Sequence, residues 1–199
     1  MPQKPISRRD ILKSLTITAA AGSLTRVIPL QAAEFAHKII QSEKSSSQSG
    51  AYAPKFFDAH QYKTLQQLCD MIIPADDHSA GALAAGAPEF IDLLTSENDD
   101  YQLKLGGGIR WLDSTCANRF GAAFLAATPD QQNQILDLIA YKKNAETDAS
   151  LSPVVEFFAF LRNLTADGFF TNAIGIEYLG YIGNTYRADV PGCPPVPEA

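Results

Sequence analysis

The stretch "SPVVEFFAFLRNL", Ser152–Leu164, determines the expected fold class. Proline directly after serine is a frequent helix start, because the first helical turn has no use for the N–H that proline lacks. Apolar side chains then cover most of the helix circumference: Phe157, Phe158, Phe160, Leu161 and Leu164. A helix that is apolar on nearly all sides is buried among other elements. The stretch therefore predicts the central helix of an all-α domain.

Two further stretches carry helix start signals of a second kind. Asp58 and Gln61 have the spacing of a capping box, and the helix that they open is predicted to end at Pro74. Thr128 and Gln131 repeat the spacing, with a proline at the first helical position between them. Both starts are followed by apolar residues at three- and four-residue steps, which predicts two amphipathic helices.

Three consecutive glycines, residues 106–108, interrupt a helical pattern that spans residues 100–126. Each glycine costs a helix interior about 1 kcal/mol relative to alanine, so the pattern predicts a break, a kink or a close helix crossing. A phosphate-binding loop would need a preceding strand and a following Lys-Ser or Lys-Thr pair. Neither is present, and that interpretation is disfavoured.

No stretch alternates apolar and polar residues as a strand does, so we expect an all-α fold in one compact domain, residues 56–199, with about five helices. After Gly168 the helical pattern gives way to a glycine- and aromatic-rich segment that we expect to be irregular, followed by a proline-rich tail. Residues 34–55 are rich in serine and glutamine and are predicted to form a flexible linker.

The N-terminal stretch "SRRDILK" closely resembles a bacterial twin-arginine signal, with the pair at Arg8 and Arg9. The uncharged run at residues 14–25 is shorter than the roughly 20 residues of a membrane-spanning helix, as expected for a signal peptide. We therefore predict a signal peptide over residues 1–33, cut near Ala33, and a periplasmic protein. A basic amphipathic helix that stays attached is the alternative interpretation.

Charge and cysteine content exclude several classes of function. The chain has 16 basic and 22 acidic side chains, and removal of residues 1–33 leaves 11 and 21, a net charge of −10. A surface so acidic repels phosphate backbones, so nucleic-acid binding is not expected.

The three cysteines have no CxxC or CxxCH spacing, which predicts no haem, zinc or iron–sulfur centre. Either Cys69 and Cys116 form a disulfide, or each is a small buried apolar residue.

An acidic loop with one histidine is the strongest candidate for chemistry in this chain. Asp76, Asp77 and His78 follow one another directly after the helix that ends at Pro74. Carboxylates and an imidazole bind metals and transfer protons, so a stand-alone metal-dependent enzyme is one hypothesis. The alternative is that these residues form a helix cap and a solvated turn. No nucleophile motif or Rossmann glycine pattern supports catalysis elsewhere.

Aromatic residues are concentrated in the glycine-rich C-terminal segment. We single out five of them as a candidate partner interface: Phe169, Phe170, Tyr178, Tyr181 and Tyr186. Large, rigid side chains of this type are enriched where proteins bind one another. The equally weighted alternative is that they belong to this domain's own core. A free-standing ligand-binding helical domain is a third hypothesis.

Three stretches of the chain resemble the small subunit (subunit 3, or gamma) of membrane-bound gluconate 2-dehydrogenase and related sugar dehydrogenases. They are "TLQQLCDMIIPADDHSAGALAAGAPEFID" (64–92), "IRWLDSTCANRFGAAFLAATPDQQNQIL" (109–136) and "GFFTNAIGIEYLGYIGN" (168–184). The first is the most specific, and the twin-arginine leader is also common among such subunits.

The resemblance implies a non-catalytic subunit with no cofactor of its own. Its expected partner is a flavoprotein of the glucose-methanol-choline type, which holds FAD and oxidises a sugar or sugar acid. A cytochrome c subunit often accepts the electrons, and the complex is associated with the membrane. The small subunit is expected to assist folding of the flavoprotein and to take it, already loaded with flavin, through the twin-arginine translocase.

Overall fold

The computed structural model describes residues 30–183, which fold into nine α-helices with no strand among them. The predicted all-α class is confirmed. In chain order the helices are α1 Leu30–Ser46, α2 Ala59–Ile72, α3 Gly81–Ala84, α4 Ala87–Ser96, α5 Asp99–Phe120, α6 Pro129–Ala140, α7 Lys142–Thr147, α8 Ser152–Phe170 and α9 Ala173–Tyr178. Short 3-10 turns cover Phe124–Ala126 and Ala149–Leu151. Within residues 30–183, no helix is both long and apolar enough to cross a bilayer.

The central position of α8 is confirmed. It packs against α4, α5 and α6, and its ends contact the short helices α3, α7 and α9. Phe157, Phe158, Leu161 and Leu164 are buried, as the apolar circumference of this helix predicts. The domain is therefore organised around α8, and its apolar core is continuous from α1 to α8.

Both predicted capping boxes are present. The Asp58 side chain accepts a hydrogen bond from the Gln61 N–H at the start of α2, and the Gln61 side chain accepts one from the Asp58 N–H. Thr128 and Gln131 make the same reciprocal pair at the start of α6. These contacts satisfy N–H groups that the first turn of a helix leaves without partners.

The three glycines do not break α5, which runs without interruption for 22 residues. Gly108 lies against the ring of Phe157 on α8, where an added Cβ would overlap the ring. Gly106 faces Phe56, whereas a Cβ on Gly107 would have no neighbour within 4 Å. Of the three predicted outcomes, the structure shows the close helix crossing, and it depends on Gly108.

The structure corrects the expectation that residues 34–55 form a flexible linker. Helix α1 begins at Leu30 and extends to Ser46, and its inner face is buried in the core through Ala32, Ala33, Ala36 and Ile40. That face packs against α4. The serines and glutamine that suggested a linker lie at the C-terminal end of α1 and in the turn that follows it. Between α1 and α2, residues 47–58 are non-helical.

The C-terminal segment is also more ordered than predicted. Helix α8 continues to Phe170, and α9 starts at Ala173. Its N-cap is Asn172, whose side chain accepts a hydrogen bond from the Ile174 N–H. Gly175 lies so close to the backbone of Phe169 that a side chain would not fit there. The expected irregular segment is therefore wrong for residues 169–178. The proline-rich tail, Tyr186 and Cys193 lie outside the described residues, as do Arg8 and Arg9.

Candidate partner interface

Exposed apolar side chains are concentrated at the C-terminal end of the described residues. Of the nine large apolar side chains that are exposed within residues 30–183, five lie between residues 170 and 182. We call these five the C-terminal surface: Phe170, Tyr178, Leu179, Tyr181 and Ile182. All but Phe170 expose more than half of their side-chain area. An apolar concentration of this kind is characteristic of binding surfaces.

The C-terminal surface rests on a buried aromatic residue. Phe169 is 1% exposed, and its ring contacts Phe170 and Tyr178 edge-on, with centroid separations of 4.9 and 6.1 Å. Phe169 therefore belongs to the core and not to the predicted interface, because α9 folds back over it. Phe170, Tyr178 and Tyr181 lie on the outside, and sequence inspection missed the neighbouring Leu179 and Ile182.

A buried carboxylate anchors the segment that precedes α2. Asp92 on α4 has no exposed surface, and its Oδ1 accepts hydrogen bonds from the N–H groups of Phe56 and Phe57, both at 3.1 Å. Its Oδ2 accepts from the Lys55 N–H at 2.7 Å and from the Tyr52 hydroxyl at 2.9 Å. Four donors thus compensate for the loss of water around this charge.

The phenol that contacts Asp92 is held in its neutral form. Burial and the nearby Asp92 charge both raise the pKa of Tyr52. A neutral phenol remains a donor to the carboxylate, so this pair stabilises the fold and offers no proton for transfer. Sequence reasoning missed the role of Asp92, although an acidic residue within the apolar run "FIDLL" is a signal for it.

The acidic loop at residues 76–78 forms a turn. Asp76 Oδ1 accepts hydrogen bonds from the N–H groups of His78 at 2.8 Å and Ser79 at 2.7 Å, and these bonds lower the pKa of its carboxyl group. All three residues of the loop are exposed. Across residues 30–183 no three His, Cys, Asp or Glu side chains come close enough to hold a metal ion. This geometry favours the turn interpretation over the metal site.

The proposed pairing of two cysteines is wrong in this structure. Cys69 and Cys116 are both free and both buried. The Sγ atom of Cys69 lies 3.6 Å from the Thr165 hydroxyl, and burial raises the pKa of this thiol to about 12. The two cysteines are on different helices, α2 and α5, and act as small apolar core residues.

A groove of about 570 Å³ lies between α5 and α8, and Gly107 is among the residues that line it. Leu103 and Trp111 line one side, and Val154 and Phe157 line the other. Leu103 is the most exposed large apolar side chain among residues 30–183, at 75%. This groove is one place in the described part of the chain to which the ligand-binding hypothesis could apply.

A sequence model of gluconate 2-dehydrogenase subunit 3 matches residues 59–192. The chain belongs to the gluconate 2-dehydrogenase subunit 3 family. The matched region starts at the first residue of α2 and contains Asp92, the acidic turn and the whole C-terminal surface. Helix α1 precedes it. Membership identifies the chain as a subunit of a multi-subunit dehydrogenase complex. No curated protein and no solved structure matches the chain significantly.

Proposed function

We propose that this chain is the non-catalytic small subunit of a flavin-dependent dehydrogenase that oxidises gluconate or a related sugar. The observation that carries the proposal is the family match, which covers two thirds of the chain. The catalytic partner is a flavoprotein of the glucose-methanol-choline type that holds the FAD. In complexes of this type the electrons often pass to a cytochrome c subunit, and the complex is associated with the membrane.

The roles of the polar groups in this chain support a non-catalytic subunit. Asp92 is committed to four hydrogen bonds inside the fold, and Asp76 is committed to its own turn. A catalytic acid or base needs a reacting group within hydrogen-bond reach, and the Asp92 carboxylate has no exposed surface on which to meet one. In this proposal the acid–base and redox chemistry belong to the flavoprotein.

The twin-arginine motif supports a second role, export of the partner. A flavoprotein that is loaded with FAD in the cytoplasm has to cross the membrane already folded. A bound subunit that carries Arg8 and Arg9 supplies the signal for both chains. The proposal therefore assigns to this chain both the folding support and the export of the complex to the periplasm.

The C-terminal surface is the proposed docking site for the flavoprotein. Its exposed tyrosines and aliphatic side chains are the types that form the central part of protein interfaces. Phe169 and Gly175 pack closely where α9 meets α8, so the part of this surface that Phe170 and Tyr178 form is pre-formed and loses little entropy on binding.

Replacement of the arginine pair tests the export role. The double substitution Arg8→Lys and Arg9→Lys keeps the charge and removes the guanidinium groups that the signal requires. We expect both this chain and the flavoprotein to remain in the cytoplasm, with dehydrogenase activity lost from the periplasm and membrane. The matched control Lys4→Arg should export both chains normally. The escort role would be refuted if the flavoprotein reached the periplasm while the double variant of this chain stayed in the cytoplasm.

A further inference from the structure

Helix α1 is an integral part of the core, although it precedes the region that the family match covers. Ala33 and Ala36 have no exposed surface, and Ala32 and Ile40 are at most 7% exposed. Ala33, Ala36 and Ile40 follow one another at three- and four-residue steps, Ala32 lies beside them on the same face, and this face packs against α4. Burial thus begins at the first turn of α1.

Polar contacts and a ring contact fix α1 to the rest of the domain. His37 Nε2 lies 3.0 Å from the Thr171 hydroxyl at the end of α8, and the His37 ring stacks on Phe90 of α4, with centroids 5.1 Å apart. Near the C-terminal end of α1, Lys44 Nζ donates to Glu89 Oε1 at 2.7 Å. These contacts join α1 to α4 and to the C-terminal end of α8.

Cleavage near Ala33 conflicts with this packing. A peptidase takes its substrate in an extended conformation, so a cut after Ala32 or Ala33 requires the first turns of α1 to unwind. Unwinding would withdraw buried alanines from α4. Whether a site is cut depends on how often its backbone opens, and a buried, hydrogen-bonded turn opens rarely. A chain that crosses the membrane folded presents α1 already docked.

A cut after Ala33 would also leave a poor helix start. The new N-terminus at Glu34 would place an ammonium group at the positive end of the α1 dipole, where a cation is unfavourable. The remaining helix would lose Leu30–Ala33, which includes two of its four buried residues.

We propose that α1 remains on the mature subunit: the bonds after Ala32 and Ala33 are not processing sites, and any removal of the leader occurs before Leu30. This inference rests on the proposed function, because the leader is removed during export. The evidence for it is the burial of α1. It replaces the signal-peptide boundary at Ala33 that the sequence alone predicts.

Mass spectrometry of the exported chain tests the inference. The full-length protein is expressed with a C-terminal tag, recovered from the periplasm and membrane, and its N-terminus is identified. An N-terminus at or before Leu30 is expected. An N-terminus between Gln31 and Ser46 would overturn the inference. Cell fractionation reports separately on export, so a chain confined to the cytoplasm contradicts the proposed function and not the integrity of α1.

Hydrogen exchange of the purified full chain tests the packing of α1 without reference to export. The amides of Phe35–Ile40 should exchange about 100-fold or more slowly than those of an unstructured peptide. Exchange at the unstructured rate would overturn the inference.

A matched pair of variants connects the two measurements. Ala36→Asp places a carboxylate in the core and should release α1, with fast exchange and, in the exported chain, a new N-terminus near Glu34. Gln41→Asp adds the same charge on the exposed face and should behave as the parent does. Slow exchange and an unchanged N-terminus in Ala36→Asp would contradict the proposed role of packing.

Discussion

The ring of Phe157 on α8 occupies the space that a side chain at Gly108 of α5 would need. The missing Cβ lets the two helices approach closely at this crossing, and both residues are buried. This contact between α5 and the central helix explains why glycine is present at position 108 in the middle of a 22-residue helix, despite its cost to helix stability.

Gly108→Ala should therefore destabilise the domain. The new methyl group overlaps the Phe157 ring, and overpacking of this kind costs about 1 to 3 kcal/mol of unfolding free energy. The matched control is Gly107→Ala, one residue earlier, where a Cβ meets nothing within 4 Å. That control should gain up to about 1 kcal/mol from helix propensity. Urea unfolding measures the free energy of unfolding of both variants. Equal changes in the two variants would contradict the close contact between Gly108 and Phe157.

Asp92→Ala should be among the most damaging single substitutions in α4. It leaves the buried N–H groups of Phe56 and Phe57 without an acceptor, and each unsatisfied buried donor costs about 1 to 3 kcal/mol. We expect a loss of about 3 kcal/mol or more in urea unfolding. The control Asp77→Ala removes an exposed carboxylate and should change stability by less than about 0.5 kcal/mol. If Asp92→Ala left the free energy of unfolding nearly unchanged, the hydrogen bonds of Asp92 would not be needed for stability.

Asp167 on α8 gives the domain a pH dependence. Burial raises the pKa of its carboxyl group from 3.8 to about 6, so the native state retains this proton over a pH range in which the unfolded state has lost it. The contribution of Asp167 to stability is therefore complete below pH 3.8 and is lost as the pH rises through about 6.

Asp167→Asn removes this ionisation and isolates its effect. The melting temperature of the variant relative to the parent should rise between about pH 4 and pH 6 and then stay level. Comparison with the parent is needed because burial lowers the pKa of His37, which makes stability fall with decreasing pH below 6.5. A difference between variant and parent that is constant with pH would contradict the assignment to Asp167.

Truncation of the C-terminal surface should weaken binding of the flavoprotein without unfolding this chain. We expect Leu179→Ser combined with Ile182→Ser to lower the co-purified flavoprotein about 10-fold or more, since apolar anchors at interfaces contribute 2 kcal/mol or more each. The control Leu103→Ser removes a more exposed side chain from the α5–α8 groove and should leave binding intact. Loss of binding in Leu103→Ser alone would place the interface at the groove instead.

Local signals were sufficient to predict much of the fold. The capping residues Asp58 and Thr128 act within three residues of themselves, and the apolar circumference of Ser152–Phe170 is a property of that stretch alone. The outcome at Gly108 was not predictable in this way, because it depends on Phe157, almost fifty residues later in the chain. The sequence predicted a break, a kink or a close helix crossing at the three glycines, and the packing of α5 against α8 produces the crossing.

The composition of residues 34–55 led to a wrong expectation, because the apolar face of α1 is small and its sequence neighbours are polar. The buried face of α1 consists of three alanines and Ile40, and the serines at its end suggested a linker. For the candidate site, the exposed tyrosines Tyr178 and Tyr181 were identifiable from sequence. The burial of Phe169 was not, since it follows from the turn that folds α9 back over α8.

The composition of the complex recovered through this chain tests the central claim most directly. A C-terminal tag on the full-length chain is used to purify it from the periplasm and membrane of the producing cells. The account predicts a flavoprotein in equal amount, carrying the FAD and oxidising a sugar or sugar acid, while this chain alone is inactive. Recovery of the chain without a flavoprotein, or turnover of such a substrate by the isolated chain, would contradict it.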